Sequence, residues 1–372
     1  MKNEKEMKKH IVFLDYLRVI ACFMVMVVHS CEPFYLGGDG FLIESHWNAA
    51  WTTLIDSAVR SCIMLFVMAS AYLLFPVERP TGDFFRRRFK RVVVPFLVWM
   101  CVYNWRFDGS WAKLLFNFPA DIIGGHLWFV PMLCGLYLIM PLLSPWAEKV
   151  TKRELLGWIA LWAFTTTFPY LRAIWGGLFG APSFGAVPYL YGECPWSGFG
   201  MFHYVSGFFG YMLLGFYFRK FGAELTWGKT LAAAVPLWAV GYALVWTPFY
   251  LRIPDAAGYP ASGSYALAVG LETSWDFLST GVAMTGLAYF LVIRKFVADG
   301  AFYQRVVRPL ADASYGTYLI HMLVLAEVIN FLQPRLTAPL AIAATAVVSF
   351  VVSSMISMLL RRIPRLGVWL CG

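Results

Sequence analysis

Apolar residues gather into long runs, separated by shorter clusters of Lys, Arg, Pro and Gly. The runs fall at about 11–30, 51–75, 92–105, 126–144, 155–171, 200–218, 230–250, 273–293, 313–332 and 338–360. A helix needs about 18–20 mainly apolar residues to cross a hydrocarbon core of about 30 Å. The pattern predicts an all-α, polytopic integral membrane protein with about ten transmembrane helices. The third run is short and needs extension at either end. Residues 1–372 are expected to form a single transmembrane domain with no appended soluble domain.

Basic residues fix the expected orientation. With the amino terminus inside, Lys2, Lys5, Lys8 and Lys9, Arg79 with the run Arg86–Arg91, Lys149–Arg153, Arg219–Lys229, Arg294–Arg308 and Arg361–Arg365 all fall in cytoplasmic segments. Only Arg106, Lys113, Arg172, Arg252 and Arg335 fall in the opposite loops. Positive charge stays on the cytoplasmic side, so both termini are expected there. The net charge of +9 is accounted for by this asymmetry, and no nucleic-acid partner is expected. Charged residues make up only 14% of the chain, against about 25% in a soluble domain.

The first run breaks its own apolarity. It carries Asp15, Arg18 and a terminal His29. A guanidinium at the middle of a span is unfavourable by about 2.5–3.5 kcal/mol on insertion scales. At about 100° per residue, eleven steps return Arg18 and His29 to one stripe, about 16 Å apart along the axis. Asp15 sits one turn before Arg18, within reach of an ion pair. Two readings fit: a structural ion pair with an interfacial histidine, or a polar stripe facing the bundle interior. An imidazole is a ready proton acceptor near neutral pH. The basic start of the chain mimics a signal peptide, but Asp15 and Arg18 interrupt the apolar region and no small-residue cleavage site follows.

Further polar groups recur at other places. The run FFRRRFKRVVVP at 84–95 fits a topology determinant or a phosphate-docking site, since Arg forks match phosphate oxygens. HLWFVP places His126 and Trp128 at the outer end of the fourth run, at the depth expected for His29; His203 lies at a similar depth. Ser314, Tyr318 and His321 share one helical face in the ninth run, as a functional group or as a Tyr–His bond holding helices together. His46 has no evident partner, nor do Asp276 and Glu327. The loops at 31–50, 106–125, 172–199 and 251–272 are long and aromatic, suited to a sugar or headgroup platform or to interfacial anchoring. The seven Cys show no metal-ligand spacing and no metal is expected. No P-loop, dinucleotide fingerprint, G-x-S-x-G or H-E-x-x-H is present.

Together these residues resemble the membrane acyltransferase-3 family of bacterial O-acetylases. The resemblance covers essentially the whole chain. It rests on Arg18-x10-His29 preceded by FLDYLR, on RRRFKRVVVP, on HLWFVP and on SYGTYLIH, in that order. It implies a multi-pass protein of the bacterial cytoplasmic (inner) membrane, with acetyl-CoA or another acyl-CoA as donor and a glycan or lipid-linked sugar as acceptor. No permanently bound cofactor is implied. It further implies His29 as general base, Arg18 and Asp15 as positioning groups, and Arg86, Arg87, Arg88 and Arg91 as holders of the donor phosphates. His126, Trp128, Tyr318 and His321 are further candidates. A continuous groove from Arg18 to His29 is expected. A secondary transporter using the same polar stripe is the alternative, followed by a structural or assembly subunit.

Overall fold

The computed structural model describes residues 11–35, 45–108, 110–112, 125–168, 170–171, 174, 201–256, 272–364 and 366–372. Among these the chain is helical, with no strand. The helices are α1 (Val12–Cys31), α2 (His46–Val59), α3 (Cys62–Leu74), α4 (Thr81–Arg88), α5 (Val94–Tyr103), α6 (Phe129–Lys149) and α7 (Lys152–Thr165). They continue as α8 (Phe209–Phe221), α9 (Trp227–Ala256), α10 (Thr280–Ile293), α11 (Arg308–Leu332), α12 (Ala338–Arg361) and α13 (Leu366–Cys371).

Each of the ten expected segments overlaps one of these helices. Among the described residues, six helical stretches are long and apolar enough to cross a membrane: Val12–Phe34, His46–Leu74, Gly125–Lys149, Trp227–Leu251, Tyr303–Leu332 and Ala338–Arg361. The other four expected segments hold α5, α7, α8 and α10, with 10, 14, 13 and 14 residues, each shorter than a span. α5 does not stand alone: α4, a π turn (Phe89–Val93), α5 and a second π turn (Asn104–Asp108) follow one another without a gap. The arginines at its start keep that stretch from being apolar throughout. Lys2–Lys9 and most of the four long loops lie outside the described residues.

The second expected segment is two helices. Arg60 and Ser61 form a break between α2 and α3. The Arg60 side chain turns inward instead of toward lipid. It pairs with buried Asp56 at 3.3 Å, donates to the Trp275 carbonyl at 3.2 Å, and lies 5.0 and 5.1 Å from the ring centres of Trp275 and Phe277. A guanidinium inside a membrane protein needs such partners, because lipid offers none.

α1 is the central helix. It packs against α2, α3, α10, α11 and α12. Small residues allow the surrounding helices to approach closely, as expected where lipid supplies no hydrophobic drive for association. A Cβ on Gly215 of α8 would fall 2.4 Å from the Met68 carbonyl oxygen of α3. α11 and α12 form an antiparallel pair tied by hydroxyls: Ser357 donates to the Ala313 carbonyl at 2.8 Å, and Thr317 to Ser354 at 3.3 Å. This arrangement brings the middle of α11 beside the end of α1, where His29 stands.

Candidate active site

At one end of α1, Arg18 is bonded to Asp15 and also reaches the Leu14 carbonyl at 3.4 Å. Asp15 is buried, and its second oxygen accepts from the Tyr303 hydroxyl at 2.6 Å. One carboxylate thus holds the guanidinium and anchors α1 to the π turn Tyr303–Val307. Arg18 forms part of the wall of a cavity of about 520 Å³. Five more arginines share that wall: Arg79, Arg87, Arg88, Arg91 and Arg361. Among the described residues Asp312 is its one acidic side chain.

Three of the four expected phosphate-holding arginines therefore face the cavity, and Arg86 does not. Helical geometry accounts for this. Arg87, Arg91 and Arg88 fall within an arc of about 100°, while Arg86 lies about 100° beyond its edge. In the sequence Arg79 and Arg361 read only as cytoplasmic charges that set topology. They come from the α3–α4 connection and the end of α12, and only the fold brings them to this wall. Arg88 lies 5.9 Å from the centre of the Tyr137 ring, and its Nε is buried with no hydrogen-bond partner.

Toward the far end of α1 the cavity becomes apolar, with Phe66, Phe129, Leu133 and Tyr318. Phe129 meets Tyr318 with ring centres 5.7 Å apart, and Phe66 at 5.8 Å. Among the described residues no histidine belongs to the wall. The expected groove is thus interrupted: Arg18 opens on the cavity, and His29 lies outside it. The interruption is an aromatic layer, two rings of which come from the motifs HLWFVP and SYGTYLIH.

Beyond that layer three of the chain's six histidines converge. His29 comes from the last turn of α1, His126 from the 3-10 turn Gly125–Trp128 before α6, and His321 from the middle of α11. The ring centres lie 5.2 Å apart for His29–His321, 4.9 Å for His126–His321 and 6.3 Å for His29–His126. His29 Nδ1 lies 2.8 Å from Glu32 Oε1. A carboxylate accepts, so for a neutral ring this contact favours the tautomer with the hydrogen on Nδ1 and the lone pair on Nε2. His321 Nδ1 lies 2.5 Å from the Tyr318 carbonyl, which fixes the same tautomer there. The Nε2 atoms of His126 and His321 are buried without a hydrogen-bond partner. Tyr318 donates to the His126 carbonyl at 2.5 Å, and Tyr103 of α5 meets the His126 ring edge to face with ring centres 4.7 Å apart.

A domain model described as an acyltransferase domain, that of the acyltransferase-3 family, matches residues 11–358. The chain belongs to the acyltransferase-3 family. No curated protein and no solved structure matches it. The family match spans the histidine cluster and the arginine cavity except for Arg361 and the residues after it, ending in the last turn of α12.

Within this acyltransferase fold the remaining candidates go elsewhere. Trp128 packs on Phe277 and Phe208, with ring centres 5.3 and 5.7 Å apart, on the side of the Arg60 pair. His203 contacts Tyr204 and His46 contacts Tyr250. Glu327 pairs with Arg106 at 3.4 Å, and Asp276 accepts from the Leu278 amide at 2.8 Å. Among the described residues no group of His, Cys, Asp and Glu is arranged to hold a metal ion. Glu32 and Tyr103 were missed in the sequence. Glu32 had a local signal, standing three residues after His29, while Tyr103 had none.

Proposed function

We propose that this protein transfers a short acyl group, acetyl in the simplest case, from acyl-CoA to a hydroxyl of an extracytoplasmic glycan or lipid-linked sugar. Membership of an acyltransferase family supports the reaction class. The carrying observation is the contrast between the two ends of α1: six arginines around a cavity at one end, and a carboxylate-held imidazole at the other.

Guanidinium groups match phosphate oxygens with paired, charge-assisted hydrogen bonds. In this reading Arg18, Arg87, Arg88 and Arg91, helped by Arg79 and Arg361, hold the phosphates of the donor. Asp15 keeps Arg18 in place. The arginine end faces the cytoplasm of a bacterial inner membrane, with both termini on that side, as the distribution of basic residues favours. The thioester arm extends past Phe129 and Tyr318, which move aside once donor and acceptor are both bound.

On the outer side, His29 Nε2 takes the hydrogen of the acceptor hydroxyl as oxygen attacks the thioester carbon. Glu32 holds the ring in the tautomer this requires and stabilises the imidazolium that forms. The C–O bond forms, the C–S bond breaks, and the thiol leaves with one proton. Mass spectrometry of surface glycans from wild-type and deletion cells tests the reading. Loss of one acyl group from a glycan in the deletion strain is expected. Identical glycans in both strains contradict it.

A further inference from the structure

Ser314, Tyr318 and His321 stand at i, i+4 and i+7 on α11, and this stripe joins two environments. Ser314 and Tyr318 belong to the wall of the arginine cavity. His321 lies beyond it, against His29 and His126. Its ring is fully buried, and its Nε2 lone pair meets no donor although Nδ1 is bonded to the Tyr318 carbonyl. A buried acceptor left in this state is rare and calls for an explanation.

The groups facing His321 narrow the explanation. From α1 come His29 and, behind it, Glu32, which is bonded to the other side of the His29 ring. From the turn before α6 comes His126. Tyr103 of α5 and Tyr318 of its own helix are near, but their hydroxyls donate to the carbonyls of Leu319 and His126 at 2.9 and 2.5 Å. Of these groups, His29 is the one assigned a proton from the acceptor. His321 is nearer to it than His126 is, with ring centres 5.2 against 6.3 Å apart, and only His321 continues the stripe toward the cavity.

The geometry points to His321 as the proton carrier between His29 and the leaving thiolate. This inference rests on the acyl transfer proposed above. In that reaction the acceptor O–H bond breaks, a C–O bond to the acyl carbon forms, and the C–S bond breaks. One proton must end on sulfur. His29 receives it on the acceptor side, yet His29 does not line the cavity into which the thiolate withdraws. Through one bridging water, His321 Nε2 takes the proton from His29 Nε2 and delivers it to sulfur past Tyr318. Both imidazoles return to their neutral forms, and no further reactant enters.

The test uses the full chain in membrane vesicles, with acyl-CoA and a hydroxyl acceptor. His321→Asn keeps an N–H for the Tyr318 carbonyl but carries no proton. Turnover is expected to fall by about 100-fold or more, with the donor KM within about twofold of wild type. His321→Ala leaves a ring-sized space. Imidazole is expected to restore its turnover by about tenfold, and a series of azoles to restore it in step with basicity. Wild-type turnover in His321→Asn overturns the inference. So does the absence of azole rescue in an Ala variant that still binds donor, or equal rescue by pyrrole, which fills the space without accepting a proton. Failure of the wild-type protein to acylate any hydroxyl instead removes the proposed function itself.

Discussion

The rings of Phe129 and Tyr318 meet edge to face at 5.7 Å, and their contact divides the two ends of α1. On one side lies the cavity that includes Arg18; on the other lie His29, His126 and His321. A thioester that reacts beside His29 has to displace this layer. A closed layer also keeps water from the thioester until an acceptor arrives. Phe129→Ala is expected to raise hydrolysis of acyl-CoA without acceptor by about tenfold, which corresponds to about 1.4 kcal/mol. Release of free thiol, followed with a chromogenic reagent, measures it. An unchanged rate would mean that the layer is not the barrier.

Glu32 sets the orientation of His29. Glu32→Gln keeps the side-chain length and an oxygen acceptor but removes the charge. Charge-assisted hydrogen bonds are about twice as strong as neutral ones, and the difference is felt most when the imidazolium forms. The variant is expected to lower kcat by about 10–100-fold while leaving the donor KM unchanged. Steady-state kinetics with varied donor separate the two parameters. An equal rise in KM with constant kcat would assign Glu32 to binding instead.

The arginines differ from one another in a way that an undirected charge run would not. Arg88 lines the cavity and has an unbonded buried Nε, whereas Arg86 is off the wall. Arg88→Ala is expected to raise the donor KM by about 10–100-fold, the value of one charged hydrogen bond of about 1.5–3 kcal/mol. Arg86→Ala is expected to stay near wild type. Equal effects at both positions would return the run to a role in topology alone.

Stability should respond to the close helix contacts. A Cβ at Gly215 would lie 2.4 Å from a backbone oxygen, which cannot turn away as a side chain can. Gly215→Ala is expected to destabilise the protein by about 1–3 kcal/mol through overpacking. At Gly135 of α6 nothing lies within 4 Å of the added methyl. Gly135→Ala is expected to be neutral or stabilising by up to about 1 kcal/mol, the helix-propensity difference. Thermal unfolding of the two variants in detergent compares them directly.

Much of this site was legible in the chain because its signals are local. The spacing of Arg18 and His29, the i, i+4, i+7 stripe through Tyr318 and His321, and the arginine run are all properties of single helices. What stayed hidden depends on packing between helices. Tyr303 reaches Asp15 from 288 residues away, and Arg361 joins Arg18 only because α12 lies against α1. The helix break at Arg60 was obscured because an apolar run shows length but not the partners that a buried charge will find. The interrupted groove has the same origin: spacing along one helix says nothing about rings from α6 and α11 that enter between its ends. Glu32 is the exception. It lay within reach of His29 in the sequence, but at the start of the 31–50 segment, whose length and aromatic content read as a loop.

Transfer of radiolabelled acetyl from acetyl-CoA in inside-out vesicles, compared between wild type and His29→Ala, bears most directly on the proposed chemistry. Label is expected in the glycan fraction with wild type and at background with His29→Ala, although the variant reaches the membrane in equal amount. Equal labelling by both proteins, or solute accumulation in wild-type vesicles without any covalent label, would contradict it.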